Sequence, residues 1–354
     1  MDVTDFCTRS SVLVVAGKGG VGKTTVSAAL ARLAARNGVS VLLVGLEKNS
    51  GTSAALGHQE LTSDQVELFS AGPADGRTGS APIRVRTLTP EDALSEYLID
   101  HGFRRAARRL ANSGLLDVMA TAIPGVRDIL VLGKITQMER AGAADLIVVD
   151  GPACGHATTF FTSAQGMLDS SRAGPIRAQA ADVVELLSDS ARCQVVLVTL
   201  AEETPVNETL ETAFSLEQRV GMHVGPVIVN GLYPWLDHLD ADPAAAAAAA
   251  GVILRPGEAD AMQAAAAFRR RREEMQAEQA TRLAEALSAP QLWLPHLFTA
   301  EISSSDMDLL VDALEIGLVH LRKPAGRPRW TGPDYRAAES RVPARAAAGN
   351  GSPS

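Results

Sequence analysis

Val12-Leu13-Val14-Val15-Ala16-Gly17-Lys18-Gly19-Gly20-Val21-Gly22-Lys23-Thr24-Thr25 is the stretch from which the fold follows. The apolar run Val12 to Ala16 has the length and β-branched content of a short buried strand. The glycines after it let backbone N–H groups turn toward one point, and the Ala/Leu-rich segment from Lys23 to about Arg36 reads as a helix whose N-terminal partial charge is aimed at the same point. Strand, Gly-rich loop, Lys-Thr pair and helix in this order make a phosphate-binding loop. The candidate cradle is Gly17, Lys18, Gly19, Gly20, Val21, Gly22, Lys23, Thr24 and Thr25. In it Lys23 reaches the β/γ-phosphates of a nucleotide and the Thr24 hydroxyl ligates Mg²⁺.

Working outward, Asn37-Gly38 ends the first helix and Val39 to Val44 reads as a second buried strand, so the chain opens with a βαβ unit of a parallel sheet. Ala71 to Pro82 is rich in Gly, Pro, Ser and Asp and reads as a surface loop before a strand at Ile83 to Leu88. From Pro90 to Arg140 the pattern is helical, with a break at Ile123-Pro124-Gly125. Strands at Leu146 to Val149, Val195 to Thr199 and Val224 to Val229 then alternate with helices at Arg177 to Ser188 and Pro205 to Val220. The fold class is α/β, a doubly wound, mostly parallel sheet with a small helical subdomain at about 90–140 and 158–190.

Beyond the alternation, Ala244 to Ala250 reads as a helix or a flexible excursion without chemistry. Glu258 to Leu287 is a long helix whose Arg269-Arg270-Arg271-Arg272 is followed by Glu273-Glu274, the pattern of a salt-bridged, solvated face rather than of the alternative, a phosphate-binding patch, because opposite charges follow within one turn. Leu292 to Leu297 is an expected edge strand and Asp306 to Leu321 a closing helix. Residues 1–11 read as an N-terminal tail, 12–321 as the folded domain and 322–354 as a disordered tail rich in Pro, Arg, Ala and Gly.

Composition bounds the function. The 354 residues are 46% hydrophobic, enough for a large core, although much of that share is alanine. A net charge of −8 argues against a general nucleic-acid binder, which needs clustered Lys and Arg. No apolar run has the length of a membrane span and the N-terminus is unlike a secretory signal, so a cytosolic protein is expected. Cys7, Cys154 and Cys193 are too scattered for a disulfide framework or a thiolate metal site, and Cys193 is expected buried in a strand.

Two carboxylates stand at strand ends, where open α/β sheets bind ligands. Glu47 follows the second strand; it either orients the water that attacks a γ-phosphate or is an exposed loop residue. Asp150 ends Leu146-Ile147-Val148-Val149, and an acid there is costly unless it meets a cation. It fits a Walker B carboxylate in the Mg²⁺ shell. The Gly151-Pro152-Ala153-Cys154-Gly155-His156 turn behind it suits a segment that moves with the γ-phosphate, with His156 either capping the turn or contacting a partner of the segment.

Taken together, the loop with its second lysine, Lys18, the Glu47 segment and Asp150-Gly-Pro-Ala-Cys-Gly-His156 resemble the ArsA family of deviant Walker A ATPases. That family includes arsenite-pump ATPases and the guided-entry factor for tail-anchored proteins. Thr199-Leu200-Ala201-Glu202-Glu203-Thr204-Pro205, Val227-Ile228-Val229-Asn230 and Leu297-Phe298-Thr299-Ala300-Glu301 resemble later family segments, in order. The resemblance implies a Mg²⁺-dependent ATPase working as a nucleotide-gated dimer, in which Lys18 completes the partner's site, Asn230 contacts adenine and a membrane-protein client is handled. Its look is similar to the paired actinobacterial ArsA-like chains, so the partner is expected to be a second copy or a related chain.

The departures are specific. Glu47 stands where the family has a water-activating aspartate, Lys48-Asn49-Ser50 replace Pro-Ala-His, and the zinc-holding CxxC and an arsenite cysteine trio are missing from the sequence. A weakly hydrolysing regulatory subunit and a ParA/MinD-like positioning ATPase stand as alternatives. Leu115, Leu116, Met119, Ile123, Ile129, Leu130, Leu132, Phe160, Phe161, Met167 and Leu168 either line a client groove or pack as ordinary helix core.

Overall fold

The computed structural model describes residues 2–46, 51–56, 67–70, 81–100, 102–105, 125–170 and 172–321. Its centre is β1 (Val12–Gly17), whose six residues are all buried. Apolar side chains on both faces make such a strand stable only between two helical layers, each buried Val or Leu contributing about 1.5–3 kcal/mol. β5 (Leu146–Ala153) and β6 (Cys193–Leu200) flank β1, both parallel to it. Outward from β5 lie β2 (Val41–Gly45), β4 (Pro82–Thr87) and β3 (Glu67–Ser70); outward from β6 lie β8 (Val227–Leu232) and β9 (Gln291–Pro295). The short β7 (His223–Val224) also pairs with β6. The β3–β4 pair is antiparallel and the other described pairs are parallel.

One face of the sheet packs α1 (Val3–Thr8), α2 (Lys23–Arg36) and α11 (Ser304–Val319) around Leu13, Val15, Leu43 and Val148. The opposite face carries α5 (Val126–Arg140), α6 (Cys154–Ser170), α7 (Pro175–Ser188) and α8 (Glu203–Ser215) over Val12, Val14, Val149 and Val195. The odd–even alternation of β1 between these two clusters is the period-two geometry of a strand covered on both sides. Helices α3 (Thr52–Ala55), α4 (Pro90–Asp100), α9 (Pro243–Ala249) and α10 (Glu258–Ala286) complete the described elements, and α8 runs on into a π-helical turn at Leu216–Val220.

Several expectations from sequence need revision. Residues 3–8 form a helix inside the stretch read as a tail, because Val3, Phe6 and Cys7 have an apolar face to bury. The turn expected after Asp150 is instead the end of β5, which continues to Ala153 before α6 starts at Cys154. Of the residues offered as a client groove, Ile129, Leu130, Leu132, Phe160 and Phe161 are buried in the core, which is the ordinary-packing alternative. Leu115, Leu116, Met119 and Ile123 lie outside the described residues, as do the 322–354 tail and the 71–80 part of the expected loop. The alanine run is helical and exposed, with the Asp242 carboxylate accepting from Ala244 N–H at 2.9 Å as its N-cap.

Candidate nucleotide site

β1 delivers its C-terminal end to the point where the strand order turns, between β5 and β6, and the Gly-rich loop begins there. Gly17 is dictated by a neighbour: a Cβ at this position would lie 2.2 Å from the backbone oxygen of Val198 on β6. Gly22 is dictated twice. Its φ of +89° is left-handed, and a Cβ would lie 2.4 Å from Nδ2 of Asn230. It is also the N-cap of α2, and no side chain caps that helix end, so the first-turn N–H groups remain for an anion.

The two loop lysines part company. Lys23 folds back, its Nζ donating to the Lys18 backbone oxygen at 3.2 Å. Lys18 Nζ leaves the loop and donates to Oε1 of Glu208 on α8 at 2.6 Å. Asp150 comes alongside through strand register, since it pairs with Val15 on β1 and with Gly45 on β2. Thr24 Oγ1 donates to its Oδ2 at 2.7 Å and Ser27 Oγ to its Oδ1 at 3.1 Å. The carboxylate is 6% exposed, and its two hydroxyl partners offset much of the cost of burying it.

Thr24 and Asp150 are hard oxygen donors in contact with each other. This set suits Mg²⁺, which takes one or two protein oxygens and completes its octahedron with water and phosphate. Glu47 lies outside the described residues, two positions past the Gly45 that pairs with Asp150.

Asn230 is on β8, and its Nδ2 donates to Val21 O at 2.8 Å, tying the loop to the neighbouring strand. The loop's residues Gly17 to Thr25, with Asp150 and Asn230, thus converge on one corner of the sheet. Over residues 12–291 the chain matches the model of the CobQ/CobB/MinD/ParA nucleotide-binding domain. It belongs to this family.

Relatives of this MinD/ParA-type domain narrow the branch. "ATPase BagA" of Mycobacterium tuberculosis is 34% identical over 242 residues, which is 66% of this chain and 68% of that protein. An arsenical pump-driving ATPase of Escherichia coli is 28% identical over 223 residues, covering 62% of this chain but 34% of its own length. That of Acidiphilium multivorum is 28% identical over 224 residues, with the same two shares. The chain is an ArsA-like P-loop ATPase.

Some residues around this MinD/ParA-type site, outside its phosphate cradle and its Thr24–Asp150 pair, were not foreseen from sequence. Ser27 shares its helical face with Thr24, one turn on, a spacing that could have flagged it. Glu208 lies 190 positions from Lys18, and no local pattern announces it. Gln276 of α10 is 4% exposed and anchors the segment after Asn230: it accepts from Tyr233 N–H at 2.9 Å and donates to Gly231 O at 3.0 Å. Tyr233, His296 and Phe298 form a ring cluster with centroids 4.4–5.1 Å apart, and the Arg269 guanidinium lies 4.6 Å from the Tyr233 centroid. Burial and the nearby Arg272 and Arg269 charges hold His296 below the usual histidine range, and its Nδ1 accepts from Phe298 N–H at 3.0 Å.

This cluster corrects the reading of the Arg269–Arg272 run as a solvated face. Arg269 and Glu273 form an ion pair at 2.7 Å with side chains 14% and 9% exposed, and Arg272 pairs with Glu202. Arg269 and Arg272 turn toward Tyr233, whereas Arg270 and Arg271 are exposed.

Proposed function

We propose that this ATPase is Mg²⁺-dependent and works as a nucleotide-gated pair of chains, in which hydrolysis drives a change of conformation. The observation that carries the reading is the divergence of the two loop lysines. Lys23 stays with the cradle, its Nζ on the Lys18 backbone oxygen. Lys18 is directed out of the loop to a partly exposed position, where a second chain's phosphate could compete for it. A cation supplied from a second chain stabilises the charge that develops on the transferred phosphoryl group, as an arginine finger does.

In this reading the backbone N–H groups from Gly19 to Thr25 and the Lys23 ammonium bind the phosphates. Thr24 and Asp150 hold Mg²⁺, which when bound neutralises phosphate charge and orients the γ-phosphate. Ser27 keeps the Asp150 carboxylate turned toward Thr24. Asn230 fixes the loop through Val21 and leaves its Oδ1 for the adenine amino group. Glu47 positions the attacking water. A membrane-protein client and a cytosolic location belong to the same proposal, by likeness to the ArsA family. No helix among the described residues is long and apolar enough to cross a membrane itself.

The test is steady-state Mg²⁺-ATP hydrolysis by the purified chain across chain concentration, with Lys18→Ala as control. Turnover per chain that rises with concentration and collapses at least 100-fold in Lys18→Ala supports the paired site. Tight ATP binding with no turnover at any concentration would make this chain a non-hydrolysing half of another assembly and defeat the proposal.

A further inference from the structure

We propose that Glu208 is a latch for Lys18: the ion pair between them holds the lysine on its own chain and sets the threshold at which two copies of the chain come together. The inference rests on the reading of Lys18 as a group that acts across a chain–chain interface.

The pair joins two unlike supports. Lys18 stands at the start of a loop whose Gly19 and Gly20 are exposed, on a stem of four methylenes. Glu208 stands on α8, which is fixed from several sides. Val206, Thr209, Thr212 and Ala213 of that helix are buried. Arg282 of α10 donates to Asn207 Oδ1 at 2.8 Å and to Glu203 O at 3.3 Å, and Arg272 pairs with Glu202 at the helix N-cap. The acid is therefore the fixed member of the pair and the lysine the movable one.

The strength of the contact is what a latch requires. The Nζ–Oε1 distance of 2.6 Å is that of a formed ion pair, while the two side chains are 35% and 36% exposed. At such exposure solvent screens most of the Coulomb attraction, and the net gain over the separated groups is small. A polyphosphate carries more negative charge than one carboxylate and lies against a water-poor cradle of amides, so it outcompetes Glu208 once a second chain brings it within reach. Without that phosphate the lysine returns to Glu208. A contact of this strength biases the monomer–dimer equilibrium without blocking it.

The same helix touches the other moving part of the site. α8 packs against α6, which begins directly after the Asp150 strand, and against β1, which carries the loop. Lys18 is thus tethered to the helix that lies between the Walker B side of the site and α10.

The experiment compares the parent, Glu208→Gln, Glu208→Asp, Lys18→Ala and the Lys18→Ala/Glu208→Gln double variant. It uses sedimentation velocity with a non-hydrolysable ATP analogue and Mg²⁺, together with ATP turnover as a function of chain concentration. Glu208→Gln should lower the concentration at which half the chains are paired by about 2- to 5-fold, and shift the half-maximal turnover concentration by the same factor. Turnover at saturating chain concentration should stay within about twofold of the parent, and Glu208→Asp should fall between the two. In the Lys18→Ala background Glu208→Gln should change nothing, because the acid then has no lysine to hold.

Unchanged or weaker pairing in Glu208→Gln overturns the latch, as does failure of that variant to self-associate at any attainable concentration. The two readings fail separately. If Lys18→Ala leaves pairing and turnover intact, the cross-chain role of Lys18 is wrong. If Lys18→Ala abolishes both while Glu208→Gln leaves the midpoint in place, only the latch is wrong.

Discussion

Asn230 and Gly22 occupy complementary volumes: the Nδ2 of Asn230 sits where a Gly22 Cβ would be, 2.4 Å from that position, and donates to Val21 O at 2.8 Å. This β8 asparagine therefore holds the phosphate loop in shape, independently of any contact it makes with a base. Asn230→Ala should weaken ATP binding by about tenfold, the equivalent of one lost hydrogen bond of about 1.4 kcal/mol, with a smaller loss for GTP, which shares the loop support but lacks the adenine amino group. Titration calorimetry with both nucleotides checks this. A loss confined to ATP would make base reading the dominant role and loop support a minor one.

Gly22→Ala should be the more damaging change, because it meets the asparagine and also forces a side chain into a left-handed backbone. We expect more than a 100-fold loss of nucleotide affinity in a protein that still folds. Pairing Gly22→Ala with Asn230→Gly should recover part of that loss, since the steric share is relieved while the φ cost remains. Equal affinity in the single and double variants would show that the clash is absorbed elsewhere.

Ser27 separates structure from chemistry at the buried carboxylate. Ser27→Ala removes the donor to Asp150 Oδ1 and leaves Thr24 on Oδ2. Thermal unfolding without nucleotide should show destabilisation of about 1–3 kcal/mol, the cost of leaving a buried charged acceptor short of one partner. Turnover at saturating Mg²⁺ should fall less than tenfold. Asp150→Asn should do the reverse, removing the carboxylate proposed to hold Mg²⁺, with turnover falling more than 100-fold and the Mg²⁺ requirement rising.

The legible and illegible parts of this fold divide by the range of the forces involved. The strand–loop–helix at Val12 to Arg36 was readable because turn chemistry, apolar run and helix former all lie within one stretch. The observed helix, Lys23–Arg36, matches the expected one. Asp150 stood out because a carboxylate after an apolar run conflicts with burial, although β5 runs on past it to Ala153 and only the structure shows its Thr24 and Ser27 partners. Glu208 and Gln276 did not, since each meets its partner across a sheet that brings together residues tens to hundreds of positions apart. The Arg269–Arg272 run misled for a related reason. Charges at i and i+4 look alike on an exposed face and on one that abuts Tyr233, and only the loop from the end of β8 distinguishes them. The helix at Val3–Thr8 was missed because six residues carry too little periodicity to separate from a polar tail.

The cysteines give a direct reading of core integrity. Burial pushes the thiols of Cys7 and Cys193 up to about 12, leaving at pH 8 a thiolate fraction on the order of 10⁻⁴. In a Cys154→Ala chain, Ellman's reagent at pH 8 should find no fast-reacting thiol in the native state and two in denaturant. Native labelling should slow further with ATP and Mg²⁺ bound, because ligand binding suppresses the openings through which buried thiols react. Stoichiometric labelling within seconds in the native state would show that one of these positions is open to solvent.

The helix α1 offers a test of stability that leaves the site untouched. It precedes β1, so it lies by the N-terminal edge of the sheet, opposite the end from which the loop emerges, and it packs Phe6, 5% exposed, with α2 and α11. Phe6→Ala removes a large buried ring and leaves a cavity, a change that typically costs 3–5 kcal/mol in a core and about 2–3 kcal/mol at a peripheral helix that can settle. The urea midpoint should fall accordingly. At 25 °C in buffer the nucleotide affinity and the turnover of the folded fraction should remain within twofold of the parent, because β1 and the loop keep their own partners on β5, β6 and β8. A loss of affinity as large as that of Asn230→Ala would mean that α1 supports the geometry of the loop through α2, and that the N-terminal segment belongs to the site's scaffold.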